Sequence, residues 1–242
     1  GKKFRVPSDD PIGASKSLKF NTDISKVEQY IRNVKDAKAW LSETESVLNE
    51  INEVLHRANV LTVQAANGTN ADDLSKIQDE IRELREHLIQ LGNSTYAGRS
   101  LFTGFKTDKE LFDKDGNYTV NVGIDKDGNE IDEVFVYNVG VKEEVPVNIL
   151  ANKVFGKATY DAGSNEITGG PGYTDVINKD FDMPYLIAVF RQLEKALEDK
   201  DQDKIQNALT NIKESMNQVL SVTSEIGARI NRLNLTENKL ED

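Results

Sequence analysis

The sequence predicts a mainly α fold with an inserted β-rich domain: an elongated antiparallel helical rod, interrupted midway. Three observations carry this. Residues 27–65 place apolar side chains at alternating three- and four-residue spacings, the pattern of a helix that buries one narrow stripe. Residues 205–240 do the same near the other end of the chain. Between them, from Leu111 to about Ile177, the helical period gives way to two-residue alternation and turn dipeptides.

The first seam has two columns. One is Val27, Val34, Leu41, Leu48, Leu55 and Thr62; the other is Tyr30, Ala37, Thr44, Ile51, Ala58 and Ala65. At 1.5 Å per residue this stretch alone makes a helix about 58 Å long. Alanine and threonine in the seam imply close approach of a partner helix. Upstream, Pro7 and Pro11 keep the entry out of a helix interior, so the helix is expected to start near Pro11, capped by Ser8 or Asp9. Asn67-Gly68-Thr69-Asn70 stops it, and Asn70 or Asp72 caps the next. The second seam reads Leu74, Ile77, Ile81, Leu84, Leu88 and Leu91, and the short link makes a helical hairpin. Lys76 with Glu80 and Arg82 with Glu86 are expected as pairs on its outer face.

Gly92, Gly98 and Gly104 then punctuate the chain, and the helical period is lost. Three strands are expected, around Tyr118-Val120-Val122, Val134-Val136-Val139 and Val145-Val147-Ile149. Asp115-Gly116, Asp127-Gly128 and Gly169-Gly170 are the expected turns. Helix returns near Pro184 with Ile187, Phe190, Leu193 and Leu197. After a charged break capped by Asp201 or Asp203, the last seam runs Ile205, Leu209, Ile212, Met216, Val219, Thr223, Ile226, Ile230, Leu233 and Leu240. The expected organisation is 1–104 as the first part of the rod, 105–183 as a β-rich inserted outer domain, and 184–242 as the second part. Neither end carries a convincing stop, so the parent chain is expected to continue past both.

Composition narrows the function classes. The 242 residues suffice for one large or two modest domains, and 38% apolar content favours an extended shape over a compact ball. A net charge of -11 with no basic patch argues against nucleic-acid binding. No apolar run reaches the length of a membrane span. The absence of cysteine excludes a disulfide scaffold, thiol catalysis and cysteine-based zinc sites. The opening GKKFRVPSDD shows no signal peptide, and Gly1 reads as a tag remnant.

No constellation points to chemistry. The two histidines, His56 and His87, read as surface helix residues; Glu83 lies four before His87, but further metal ligands at suitable spacing are missing. Asp113–Asn117 and Asp125–Asn129 faintly resemble calcium loops. Their glycines fall fourth where sixth is needed, and Ile124 and Val136 stand where a bidentate Glu is required, so hairpin turns explain both better. Ser100 follows Arg99 in an expected turn with no base nearby in sequence. The expected catalytic, cofactor-binding and metal residues are therefore none, and no cofactor is implied.

Several phrases resemble one family. Pro7-Ser8-Asp9-Asp10-Pro11 followed by Ala14 is similar to the entry into the first rod helix of flagellins and their junction relatives. Ala58–Thr69 resembles that family's helix end and turn, and Ile77–Ile81 with Leu88–Asn93 its return helix. The stretch Asn93–Thr107, NSTYAGRSLFTGFKT, resembles the hook–filament junction branch, whereas flagellins more often carry an Asn-Phe-Asn-Gly type of phrase there. Ser100 departs from the aromatic usual after the arginine. Gly227-Ala228-Arg229, Asn231-Arg232-Leu233 and Glu237-Asn238-Lys239-Leu240 also fit.

The resemblance implies a structural role and no enzyme activity. Its partners would be hook-associated protein 1, flagellin and lateral copies of the chain itself, with an export chaperone as a further partner. It implies export unfolded through the flagellar type III apparatus and work outside the cell, in the flagellum. The polymerising terminal helices are missing, so the isolated core is expected to be monomeric, with its insert projecting outward. The loop after Gly68, the segment Tyr96–Gly104 and the polar rod faces are the positions expected to matter. Two other readings stay open: a short or minor flagellin, and a surface-binding module using Tyr118, Tyr137, Tyr160 and Tyr173 as aromatic platforms.

Overall fold

A computed structural model describes residues 11–172 and 176–242. Helix α1 runs Pro11–Ala66, which at 1.5 Å per residue is about 84 Å. Pro11 is also the first described residue, so the expected helix start and its expected caps Ser8 and Asp9 lie at or outside the edge of the described residues. Helix α2, Ala71–Gly92, comes after a turn in which Gly68 takes φ 82°. Asn70 caps it by accepting from the Asp73 N–H at 3.0 Å. Two short strands form a hairpin, β1 Thr95–Tyr96 and β2 Arg99–Ser100. Next come strands β3 Val136–Gly140 and β4 Glu143–Pro146, helix α3 Ala151–Phe155, and strands β5 Lys157–Asp161 and β6 Glu166–Gly170. Helices α4 Tyr185–Asp199 and α5 Gln202–Glu241 complete the chain.

The two long helices pack side by side and antiparallel. Lys38 meets Glu237 at 3.6 Å, and fourteen residues along, Asn52 donates to Thr223 at 3.1 Å. Arg57 with Glu80 fixes α1 against α2, and Asn211 with Gln192 fixes α5 against α4, both antiparallel. One end of the rod is thus a four-helix bundle, and the other is the α1–α5 pair alone. In α1 every expected seam residue is buried except Val27, which is exposed, and Tyr30, which is half-buried. In α5 the deepest column is Ile205, Ala208, Ile212, Ser215, Val219, Val222 and Ile226; the expected Leu209, Met216 and Thr223 sit half-buried beside it. The shift has a physical cause: α5 faces both α1 and α4, so its buried stripe is wider than one two-residue column.

Buried hydroxyls in these seams return their protons to the preceding helical turn. Thr44 donates to Trp40 O, Thr62 to Ala58 O, and Ser215 to Asn211 O, at 2.6–2.9 Å. Each donor is satisfied without a partner from the facing helix, so small polar residues tolerate full burial at close helix contacts.

The middle of the chain departs from the sequence expectation in three ways. Residues 118–122 form no ladder. The tight turns on either side each close on a single bridge, Phe112 with Tyr118 and Ile124 with Glu130, and Val122 pairs with Ile177 instead. Gly169-Gly170 is not a turn but lies in β6, opposite Ala158 and Lys157. A Cβ on Gly169 would sit 2.4 Å from Lys157 O, so glycine there permits close approach of the paired strand. The turn falls earlier, where Asp161 Oδ1 accepts from Gly163 N–H and Asn165 adopts φ 56°. Helix α3 and strand β5 come without an expectation.

The insert lies against the rod rather than standing off it. Asn33 on α1 donates to Asn138 O at 2.7 Å, Gln218 on α5 donates to Lys153 O at 2.9 Å, and Arg229 reaches the carbonyls of Pro146 and Asn148. Its aromatic centre, Phe102, Phe112, Phe155 and Tyr118, makes ring contacts at 5.0–5.5 Å and belongs to the same hydrophobic cluster as the helices.

Candidate functional site

The segment between α2 and β3 forms a shoulder where the insert leaves the rod. Asn93, just past α2, holds the chain on both sides of Phe112: it accepts from Phe112 N–H at 2.8 Å and donates to Phe112 O at 3.0 Å. Tyr96 and Arg99 pair across a two-residue turn in which Ala97 and Gly98 take φ 51° and 77°, the twist a tight hairpin requires. Ser100, expected in a turn, is instead buried in β2, and its hydroxyl donates to Lys109 O. That use of its proton is structural.

Glu133 anchors the shoulder to the insert. Its side chain is fully buried and accepts from Phe105 N–H at 2.8 Å, Gly123 N–H at 3.0 Å and Lys106 Nζ at 2.6 Å. A buried carboxylate is tolerable only with this much compensation. Gly104, at φ 67°, allows it, because a Cβ there would stand 2.6 Å from the Glu133 carboxylate. Asn148 completes the arrangement by donating to Glu133 O and accepting from Phe135 N–H. Sequence reading missed Glu133, since an acid in an alternating stretch carries no mark of burial.

An aromatic row runs over this shoulder. Phe105 stacks on Phe135 with centroids 5.3 Å apart, and Trp40 meets both Phe135 and Tyr96 edge-on at 6.2 Å. Of the tyrosines expected as platforms, Tyr118 is buried, and its hydroxyl donates to Gly156 O at 2.6 Å; burial, aided by Asp182, holds its pKa well above the ordinary value. Tyr160 is half-buried, donates to Asn165 Oδ1, and is raised in pKa mainly by burial. Tyr137 is half-buried beside Trp40, and Tyr173 lies outside the described residues.

The remaining candidates fall apart in space. His56 is exposed, and His87, also exposed, points to Glu50 of α1 at 3.9 Å rather than to Glu83. The expected outer-face pairs on α2 are replaced. Glu80 goes to Arg57 at 2.6 Å, raising the guanidinium pKa through that hydrogen bond, and Arg82 goes to Asp79 and Glu194. In the two Asp-Gly loops, Asp113 Oδ1 and Asp125 Oδ1 each accept from two backbone N–H groups of their own turn. The Asn129 backbone bond is the main cause holding the Asp125 carboxyl below its ordinary range. Both loops are therefore turns closed on their own aspartate. Among the described residues no group of three or more His, Asp or Glu side chains is placed to hold a metal ion, and no helix is long and apolar enough to cross a membrane.

This arrangement has counterparts among known proteins. Residues 1–107 match the family model for the bacterial flagellin N-terminal helical region. Phase 1 flagellin of Salmonella naestved is 32% identical over 198 residues, 74% of this chain but 37% of the flagellin. Over these stretches the chain is similar to flagellins. A protein of Vibrio parahaemolyticus described as a flagellar hook-associated protein superposes with a TM-score of 0.74 at 25% identity, covering 98% of this chain and 94% of that one. Flagellar hook-associated protein 3 of Escherichia coli is 27% identical across 96% of this chain and 71% of its own length. The chain is thus homologous to flagellar hook-associated protein 3.

Proposed function

We propose that the chain forms the junction layer between hook-associated protein 1 and the flagellin filament, packing laterally against copies of itself outside the cell after export through the flagellar type III apparatus. The observation that carries this reading is coverage. Sequence likeness to a hook-associated protein covers 96% of the chain, insert included, whereas sequence likeness to flagellin covers 74%. The rod supplies stiffness, and the shoulder, locked by Glu133, holds the insert at a set angle to it. The work is mechanical, adapting packing on the hook side to packing on the filament side.

Full-length protein added to purified hooks that carry hook-associated protein 1 tests this by electron microscopy. A short self-limited layer that then accepts flagellin is the expected result. A second reading, a minor flagellin, draws on the higher identity to flagellin over a shorter alignment, 32% over 198 residues against 27% over 242. It predicts long filaments from this protein alone, and their appearance would replace the junction reading.

A further inference from the structure

A cavity of about 300 Å³ opens where α1, the β1–β2 hairpin and strand β3 meet, lined by Asp36, Trp40, Tyr96, Ala97, Arg99 and Tyr137. Three features give it a chemical character. First, its walls are aromatic and mutually perpendicular: Trp40 and Tyr96 stand at 85° with centroids 6.2 Å apart. Second, Asp36 and Arg99 are exposed on the same cavity, and among the described residues neither has an ion-pair or side-chain hydrogen-bond partner. Third, the Trp40 indole N–H is buried without an acceptor among the described residues, so the ring is held by packing against Tyr96 and Phe135.

Electron-rich ring faces attract cations, most strongly when the cation is weakly hydrated, and a neighbouring carboxylate adds to that attraction. A guanidinium on the same rim opposes a bare cation but binds an anionic group. The ligand that satisfies both is a zwitterion. A sugar fits less well, because stacking needs a broad open ring face, and Trp40, at 8% exposure, offers none. We propose that this cavity binds a small zwitterion with a quaternary ammonium group, such as phosphocholine or glycine betaine. The ammonium lies against Tyr96 and Tyr137, beside Asp36 and over the rim of the buried Trp40, and the anionic group lies on Arg99. The proposal stands independently of the junction reading.

Trp40 is the single tryptophan in the chain and serves as the reporter. Its emission is titrated with phosphocholine and glycine betaine, and separately with choline, inorganic phosphate and glucose. The expected result is saturable binding of a zwitterion with a Kd of about 0.1–10 mM, with choline and phosphate each roughly tenfold weaker. Asp36→Asn should weaken both zwitterion and choline. Arg99→Gln should weaken phosphocholine about tenfold while choline binding holds or tightens, since the opposing guanidinium is gone. Both positions are exposed, so thermal melts should match the parent. Phosphatidylcholine vesicles separate the sources. Sedimentation with vesicles that soluble phosphocholine reverses assigns a lipid headgroup; binding of soluble zwitterions without sedimentation assigns a free small molecule. No saturable response to either zwitterion, equal phosphocholine binding by Arg99→Gln, or binding of glucose alone would overturn the proposal.

Discussion

The two ends of the rod are made from the same pair of helices, yet they are buried by different means. At the bundle end, α1 from Leu48 to Ala65 and α5 from Ile205 to Val219 are enclosed by α2 and α4, and the seam is helix against helix. At the opposite end, α1 from Val34 to Val47 and α5 from Val222 to Thr236 have only each other and the insert, whose β3 rests on α1. There, long side chains do much of the covering: Arg229 and Arg232 reach backbone carbonyls of the β4 region. Beyond that, Ile12, Leu18, Phe20 and Ile24 on the first turns of α1 are exposed. A heptad seam therefore specifies that a helix must be covered, without specifying by what.

This contrast predicts graded sensitivity. The largest effect belongs to the bundle: Leu55→Ala, at a fully buried position, should cost about 4 kcal/mol in urea unfolding, from lost transfer energy and an unfilled cavity. Glu133→Ala should cost about 3 kcal/mol, by stranding the Phe105 and Gly123 donors and the Lys106 ammonium. Its loss should also raise hydrogen exchange at those two amides more than in the bundle; uniform exchange would mean that the shoulder and bundle open as one unit. Asn70→Ala removes the α2 cap and should cost about 1 kcal/mol, readable as a lowered melting temperature. Leu235→Ala, on the exposed face of the two-helix end, should change stability by less than about 0.5 kcal/mol. If Leu235→Ala proved as damaging as Leu55→Ala, the proposed difference between the ends would be wrong.

A local pH effect sharpens the same comparison within the insert. The Asp125 carboxyl is lowered below its ordinary 3.8 by hydrogen bonds to the charged form. Its contribution is complete above that ordinary value and is lost as pH falls through the lowered one. The Asn129 amide should therefore exchange faster under acid than its pH-corrected intrinsic rate explains, and Asp125→Asn should abolish the excess.

The helical parts were legible because helices report their burial locally. The α1 columns, the Asn70 and Asp201 caps, and the stop at Gly68 arise from spacing and side-chain chemistry within a few residues. The aspartate-closed turns were legible for the same reason: Asp113 and Asp125 bond to their own next few amides. The candidate sites were not. Glu133, the Trp40 cavity and the Gly169 contact each join residues far apart in the chain, and nothing near any one of them marks its partner.

Sequence alone, then, determined the two seams, their antiparallel return and the family phrases, since these rest on periodicity and short-range hydrogen bonds. Tertiary structure alone decided that residues 118–122 form no ladder, with Val122 bridging Ile177, and that a glycine pair sits within a strand. It also decided that an ordinary glutamate is fully buried. The physical reason is that strand pairing and polar burial depend on which distant groups arrive, and that is set by how the long helices bring the ends of the insert together.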